Sequence, residues 1–446
     1  MAQILMIADE PKIKVALLQN SQQARINLNG EFRSSDGKML NGKFRAHCSA
    51  GYVYLNNSSG DQIEKQKEIL LFAQEGATFT VPDIKIGINF HWQQNQEQTF
   101  CGDLAFSAVG NNSFNLINII SLEDYLASVI SSEMSAEAPL EFLKAQAVVA
   151  RSWLVTMLEK KKSSSVLPEK EAVSKNEFIT WQDVNDHQFF DVCADDHCQR
   201  YQGITRILSA NVAAAIEDTR GLFLVSGSQI CDARYYKCCG GQTDVFSSSW
   251  ENVFVEYLRN ITDNAEAKPP ILSEKDAAGW LRSKPPAYCN ISDKEILRRI
   301  LPSFDMETLD FYRWQVIYKR RDLEEIIRKK SGIDVGRLEN LVVVARGPSG
   351  RIYKLRIEGS KKTVIVGKEL EIRRWLSPSH LLSSAFVVST EREANGTISR
   401  FILDGGGWGH GIGLCQIGAA VMATKGFKAK DILAHYFTGA QIKKLY

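Results

Sequence analysis

A glutamate that closes an apolar helical face is the first residue of this chain equipped for chemistry. Residues Ser121–Met134 read Ser-Leu-Glu-Asp-Tyr-Leu-Ala-Ser-Val-Ile-Ser-Ser-Glu-Met. Ser121 with Asp124 three positions on has the form of a capping box, so a helix is predicted to start there. Leu122, Tyr125, Leu126, Val129 and Ile130 recur at helical spacing, and the next turn of that face reaches Glu133. A buried carboxylate is costly unless it is paired, hydrogen-bonded or protonated, and desolvation raises its pKa. Such a carboxyl group is a candidate general acid near neutral pH. The plainer alternative is a helix-end glutamate, half in water or bonded to a backbone N–H.

Three further clusters stand out. His187, Cys193, His197 and Cys198 lie in one short, loop-like stretch. Such Cys/His sets hold tetrahedral zinc, and four protein ligands make a closed structural site that does not activate water. The alternative is cysteines buried without metal. Tyr235-Tyr-Lys-Cys-Cys-Gly-Gly241 ends a strand in a glycine turn. Lys237 beside Cys238-Cys239 could lower a thiol pKa and create a nucleophile; the alternative is a strand end lining a cleft. Finally, Asp404-Gly-Gly-Gly-Trp-Gly-His-Gly-Ile-Gly-Leu-Cys-Gln-Ile-Gly418 is a glycine-rich loop between a strand and a helix. It lacks the Gly-Lys-Ser/Thr of a P-loop, and no strand after it completes a dinucleotide-binding unit. The glycines permit close backbone approach. They present Trp408, suited to stacking on a sugar ring, and His410, which serves either a ligand or a hydrogen bond within the loop.

These residues need a scaffold, and 446 residues provide for more than one domain. A formal net charge of +2 gives no sign of nucleic acid, and no apolar run is long enough to span a bilayer. Met1–Asp9 does not read as a signal peptide, which points to a cytoplasmic chain or to one whose signal has been cut. Nine cysteines, an odd number, do not suggest a disulfide scaffold.

The expected fold class is α+β with several domains. Residues 1–100 read as a β-rich accessory domain, with runs at Val15, Arg25, Phe44, Tyr52 and Ile84–Trp92. Turns are expected at Asn29-Gly30, Asp36-Gly37 and Ser59-Gly60. Residues 101–260 hold the strand Phe114–Ile120, the Ser121 helix, a longer helix Pro139–Glu159, a solvated loop from Lys160 to Ser165, and a helix Ala210–Glu217. Strands Phe223–Val225 and Ala233–Tyr236 follow. Residues 261–374 read as an inserted α+β domain with helices Asp293–Ile300 and Arg321–Lys329, a hairpin Leu341–Arg346/Arg351–Ile357 and a strand Thr363–Val366. Residues 375–446 return with strand Ser399–Leu403, the glycine-rich loop and two short helices.

Taken together, Leu122–Met134 running into Pro139–Trp153, then Asp191–Gln199, Thr219–Leu222 with Tyr236–Gly241, and Gly407–Ala419 resemble the SpoIID/LytB family of stage II sporulation protein D and amidase-enhancer proteins. Gly347–Arg356 is similar as well. The resemblance covers roughly residues 100–446. It implies a peptidoglycan lytic transglycosylase acting on glycan strands freed of stem peptides, in the cell envelope or periplasm. Glu133 would be the catalytic acid. Lys144, Gln146 and Arg151 would orient Glu133 or the sugar, the alternative being helix packing and solvated surface, and Tyr236, Lys237, Trp408, His410 and Gln416 would contact substrate. His187, Cys193, His197 and Cys198 would hold a structural Zn2+. The amidase-enhancer branch implies an alternative, a non-catalytic glycan-binding regulator with a cell-wall amidase as partner. The chain departs from the family pattern at Ser135, where proline is common, at Lys237-Cys238-Cys239, where a His-Ser-Ser-type sequence is usual, and at Cys415 and Ile417, where serine and tyrosine are usual.

Overall fold

Ser121 Oγ accepts the Asp124 N–H at 3.2 Å and opens helix α1 (Leu122–Glu133), as the local sequence dictates. The computed structural model describes residues 9–87, 94–163, 176–181, 187–195, 197–206 and 209–446. The architecture is mixed α+β, distributed over two compact units.

The first unit comprises residues 1–161, 184–223 and 444–446. Its centre is an eleven-stranded sheet. Along its main path, Val192–Cys193, Lys12–Ser21, Ser113–Ser121, Asp103–Val109, Glu68–Ala73, Gln23–Ser34, Met39–Ser49, Tyr52–Asn57 and Gln62–Gln66 lie side by side. Thr78–Ile86 pairs with Gln23–Ser34 and with Gln94–Cys101. Alternation of buried and exposed residues marks these strands, for example Met39–Ser49, as expected where one face is packed and one is wet. The strand Lys12–Ser21 is antiparallel to Ser113–Ser121, so the first residues share a sheet with the strand that feeds α1.

The helices of this unit are α1, α2 (Leu140–Ser163) and α3 (Ala210–Asp218). Helix α1 packs against α3 and against the tight turn Gly203–Arg206. An aromatic ladder joins sheet to helix. Phe79 stacks on Phe100 at 5.3 Å, Phe100 on Tyr201 at 5.8 Å, and Tyr201 on Tyr125 of α1 at 5.2 Å. Each buried aromatic ring contributes about 1.5–3 kcal/mol from burial, so this column fixes α1 firmly.

Three local expectations are corrected. Asn29-Gly30 does not separate two strands. Gly30, at φ +113°, sits at an irregularity within the single strand Gln23–Ser34, where the register shifts between Leu28 and Phe32. A β-bulge uses such a residue to bend the strand without ending it. Lys160–Ser163 is not loop but the last turn of α2, because lysine is a good helix former. The strand expected at Ala233–Tyr236 is reduced to Tyr235–Tyr236, which pairs in parallel with Leu414–Cys415. Residues 1–8, 88–93 and 164–165, read above as a non-signal start, part of a strand and part of a loop, lie outside the described residues.

The second unit comprises residues 162–183 and 224–443. Its hairpin, Leu338–Arg346 with Ile352–Gly359, forms a four-stranded sheet with Thr363–Gly367 and Glu177–Ile179. A second sheet runs Trp314–Lys319, Ile398–Gly405, Phe386–Arg392. Leu323 and Ile327 of α6 (Arg320–Ser331) and Ile372 and Trp375 of α7 (Glu369–Trp375) fill the core with residues of both sheets. The helices α4 (Glu274–Arg282), α5 (Lys294–Ile300), α8 (Gln416–Thr424) and α9 (Ala429–Tyr436) complete the unit. Among the described residues, no helix is long and apolar enough to cross a membrane.

Candidate functional site

Glu133 occupies the last position of α1 and is 9% exposed. Its Oε1 accepts the backbone N–H of Arg200 at 3.0 Å. Both sequence readings therefore meet: the residue is buried, and it is bonded to a backbone donor. The donor belongs to the extended run Gln199–Gln202, all of it buried. Ser128 Oγ, one turn and a half earlier on α1, accepts the Gln202 N–H at 3.1 Å, and Tyr125 donates its hydroxyl to Gln199 Oε1 at 3.1 Å. Tyr201 donates to Asn118 Oδ1 at 2.5 Å. The run is thus pinned to α1 and to the sheet, and it presents one N–H to Glu133. Sequence reasoning could not find Arg200 or Ser128, since the first acts here through its backbone and the second reads as an ordinary helix serine.

Immediately before this run lie the four soft donors. Cys193 Sγ and Cys198 Sγ are 3.5 Å apart, His187 Nε2 is 3.2 Å from Cys198 Sγ, and His197 Nδ1 is 3.9 Å from Cys193 Sγ and 3.5 Å from Cys198 Sγ. All four donor atoms lie within 4.8 Å of one another. Tetrahedral zinc with ordinary Zn–S and Zn–N lengths requires S–S edges of about 3.8 Å and S–N edges of about 3.6 Å. The donor set can hold a metal ion with little rearrangement.

Arg151 departs from the role expected of it. Its side chain is fully buried and binds Glu123, with Nε to Oε1 at 3.0 Å and Nη2 to Oε2 at 2.5 Å, and donates Nη1 to the Leu222 carbonyl at 3.0 Å. Glu123 also accepts the Gly221 N–H at 3.2 Å and the Tyr446 hydroxyl. This is a structural hub that ties α1, α2, the segment after α3 and the C-terminal residues; it holds neither Glu133 nor an accessible ligand. Glu123 was missed because an acidic residue in a first helical turn reads as a solvated partner of the helix dipole. Lys144 likewise forms ion pairs, with Asp218 at 2.9 Å and Glu141 at 3.2 Å. Gln146 differs. It is fully buried, and neither of its amide atoms has a hydrogen-bond partner among the described residues; the same holds for Ser132 Oγ, next to Glu133. Such groups are rare in folded proteins and mark positions where a water or a ligand's polar group fits.

The remaining candidates belong to the second unit. The Gly-rich loop pairs with the Cys-Cys strand end through Cys238 and Trp408, each donating its N–H to the other's carbonyl, at 2.9 and 2.8 Å. Trp408 is half-buried, with the Lys237 ammonium 5.9 Å from its ring centre. Lys237 is paired with Asp305 at 2.8 Å and is not a partner set beside a thiolate. Cys238 and Cys239 are fully buried, and that burial pushes both thiols well up, so the thiol-nucleophile reading is corrected. His410 accepts the Ile412 N–H on Nδ1 at 3.1 Å and bonds the Tyr235 carbonyl through Nε2 at 3.0 Å. With both nitrogens engaged, the neutral Nε2–H form fits. Burial and the nearby Arg234 and Arg351 push its pKa well down. The Tyr236 hydroxyl and the Gln416 amide nitrogen are buried without a partner among the described residues.

A family model described as "Stage II sporulation protein" matches residues 110–225, which hold α1, Glu133 and the four soft donors. Stage II sporulation protein D of Bacillus amyloliquefaciens is 23% identical over 75% of this chain and 78% of its own length. Residues 110–225 thus carry a SpoIID domain, and the likeness to sporulation protein D and to an amidase enhancer supports the SpoIID/LytB family. Within this SpoIID/LytB context, the amidase enhancer of Bacillus subtilis is 21% identical over 71% of this chain and 40% of its own length. An uncharacterized protein of Brachyspira hyodysenteriae is 25% identical over 99% of this chain and 95% of its own. A second model, described as a domain of unknown function, matches residues 244–413.

Proposed function

We propose that this SpoIID/LytB chain is a peptidoglycan lytic transglycosylase that uses Glu133 as its single acid and base. The observation that carries the reading is a buried carboxyl group at the end of α1 that accepts the Arg200 backbone N–H, in a run that is itself pinned at Ser128, Tyr125 and Asn118. Fixed geometry of this kind is what proton transfer in a transition state requires. Protonated Glu133 donates to the oxygen joining N-acetylmuramic acid to N-acetylglucosamine. The C1–O bond breaks, and positive charge develops at C1. The muramic 6-hydroxyl oxygen then bonds to C1 while its proton passes to the Glu133 carboxylate. A 1,6-anhydro sugar forms and the acid is regenerated, so no second carboxylate is required.

The substrate is glycan strand already freed of stem peptide, and the site of action is the cell envelope. Gln146 is the residue of α2 retained as a sugar or acid-orienting group, because its amide is unsatisfied. On the second unit, Trp408 with Lys237 beside its face is the proposed sugar-stacking surface, and Tyr236 and Gln416 supply unsatisfied polar groups. His187, Cys193, His197 and Cys198 hold Zn2+ in a closed site. When bound, zinc supplies structural cross-linking of the loop and no open coordination position.

The likeness to an amidase enhancer supports a second reading, a glycan-binding regulator that acts through a cell-wall amidase. Glu133→Gln separates the two. Purified peptidoglycan, with and without stem peptides, is incubated with each protein and its ends are identified by mass spectrometry. Anhydro-muramic ends that appear with wild type and fall at least 100-fold with Glu133→Gln are expected. No cleavage by folded, zinc-loaded wild type, with glycan binding and amidase stimulation retained in Glu133→Gln, establishes the regulator instead.

A further inference from the structure

Cys239, Cys289 and Cys415, with Asp263, converge in the interior of the second unit, and no part of the proposed chemistry uses them. Their three sulfurs and a carboxylate oxygen lie within 4.8 Å of one another. All four side chains are fully buried. Cys239 and Cys289 bring their sulfurs to 3.3 Å. We propose that these residues form a second, closed metal site that takes a soft divalent ion, Zn2+, in an S3O donor set.

Four observations carry this. First, the donors are preorganised by backbone bonds. Tyr236 pairs with Cys415 in the parallel bridge, the Asp263 N–H binds the Gly241 carbonyl at 3.0 Å, and the Tyr288 N–H binds the Asp263 carbonyl at 2.7 Å. Second, the sulfurs accept backbone N–H groups: Cys239 N–H reaches Cys415 Sγ at 3.2 Å, and Gly241 N–H reaches Cys239 Sγ at 3.3 Å. Sulfurs that spend their acceptor capacity on N–H donors are arranged as metal-bound thiolates are. Third, Asp263 is a buried carboxylate whose bonds go to neutral donors, the Cys289 N–H at 2.8 Å and the Tyr436 hydroxyl at 2.6 Å. Each oxygen keeps a lone pair for a cation.

Fourth, the surroundings carry the opposite charge. Among the described residues, the fully buried Arg351 bonds neutral oxygens, those of Cys238, Cys239, Gly409 and the Ser349 hydroxyl, and Asp244 lies one hydroxyl further on. Arg313 donates to the Gly240 carbonyl at 2.9 Å. Two guanidiniums thus hold the Cys238–Gly240 backbone beside a site that would be net negative with its ion. The ion would staple four chain segments directly beneath Tyr236, Lys237 and Trp408, and thereby fix the strand end that presents them. Three thiolates select zinc over harder cations such as Mg2+ or Ca2+.

The test uses the full chain, purified without chelator or oxygen. Wild type, His187→Ala and Cys289→Ser are assayed for metal by plasma mass spectrometry, with folding checked by circular dichroism. About two zinc equivalents per chain are expected for wild type and about one for each variant. Cobalt-loaded His187→Ala keeps the second site intact and should show strong thiolate-to-cobalt charge transfer, so the proposal stays testable if Cys289→Ser fails to fold. One equivalent in wild type and none in folded His187→Ala would overturn it. So would peptide mapping that finds Cys239 and Cys289 joined as a disulfide in the freshly isolated protein.

Discussion

Arg151→Leu discriminates a structural hub from a substrate-binding arginine. The substitution removes a fully buried guanidinium and leaves Glu123, 2% exposed, with the Gly221 N–H and the Tyr446 hydroxyl as its remaining donors. Breaking a buried ion pair from one side costs about 3–5 kcal/mol, because the surviving charge stays buried. The Leu222 carbonyl also loses its donor, which adds about 1 kcal/mol. Against a total of about 5–15 kcal/mol for a domain, this is a large fraction. For a unit of this size, 1 kcal/mol shifts the melting temperature by about 2–4 °C, so a fall of roughly 8–24 °C is expected. Differential scanning calorimetry and urea unfolding measure it. The double change Glu123→Leu/Arg151→Leu should recover part of the loss, since both charges are then gone. An unaltered melting temperature for Arg151→Leu, together with weakened glycan binding, would refute the hub and return Arg151 to the substrate.

Ser128→Ala removes the acceptor for the Gln202 N–H and should cost about 1 kcal/mol in stability; turnover should fall with KM little changed, which steady-state kinetics on denuded glycan would show. Chelation of the metal at His187, Cys193, His197 and Cys198 should expose the Val192–Cys198 stretch to proteolysis, read by peptide mapping. Lowering the pH should do the same, because the ligands take up protons as the ion leaves. His380 has its pKa pushed down to about 4 by burial, then by Arg373, Lys330 and Arg374. A histidine depressed in the folded state contributes stability that is complete above about 6.5 and is lost as pH falls toward 4. Urea midpoints of His380→Asn should therefore depend less on pH over that window than those of wild type. Cys238 and Cys239, being fully buried, should resist iodoacetamide in the native protein, and turnover should be insensitive to the reagent.

How much could be read in advance followed the range of each interaction. The start and face of α1 were legible because a cap and a 3.6-residue period are local. The Cys/His set was legible because its four donors fall within twelve positions. Arg151 was misread because its partner, Glu123, lies on another helix 28 positions away, so the sequence shows a surface-type residue where the fold has a buried pair. The donor to Glu133 is a backbone N–H, and a backbone group carries no letter in the sequence. Cys239 and Cys415 are 176 positions apart, and scattered cysteines read as small core residues until strand pairing brings them together. Asn29-Gly30 has the composition of a turn, and only the irregular pairing between Leu28 and Phe32 shows it to be a bulge.

Under the proposed function, the placement of the Cys/His set shows how a closed metal site would bear on catalysis without touching substrate. Cys198 is a donor in that set, and two residues later the Arg200 N–H meets Glu133 at 3.0 Å. The chain between them has no room for slack, since Gln199 is fixed by Tyr125 and Gln202 by Ser128. Movement at Cys198 is therefore passed to the N–H that holds the proposed acid. A general acid must stay within hydrogen-bond reach of its proton acceptor, and displacement of about 1 Å can cost 100-fold in rate. A cross-link between His187, Cys193, His197 and Cys198 removes that freedom at its source. With its proposed ion bound, the set and Glu133 would form one mechanical unit, in which the ion would set the position of a backbone donor and the donor that of the carboxyl group.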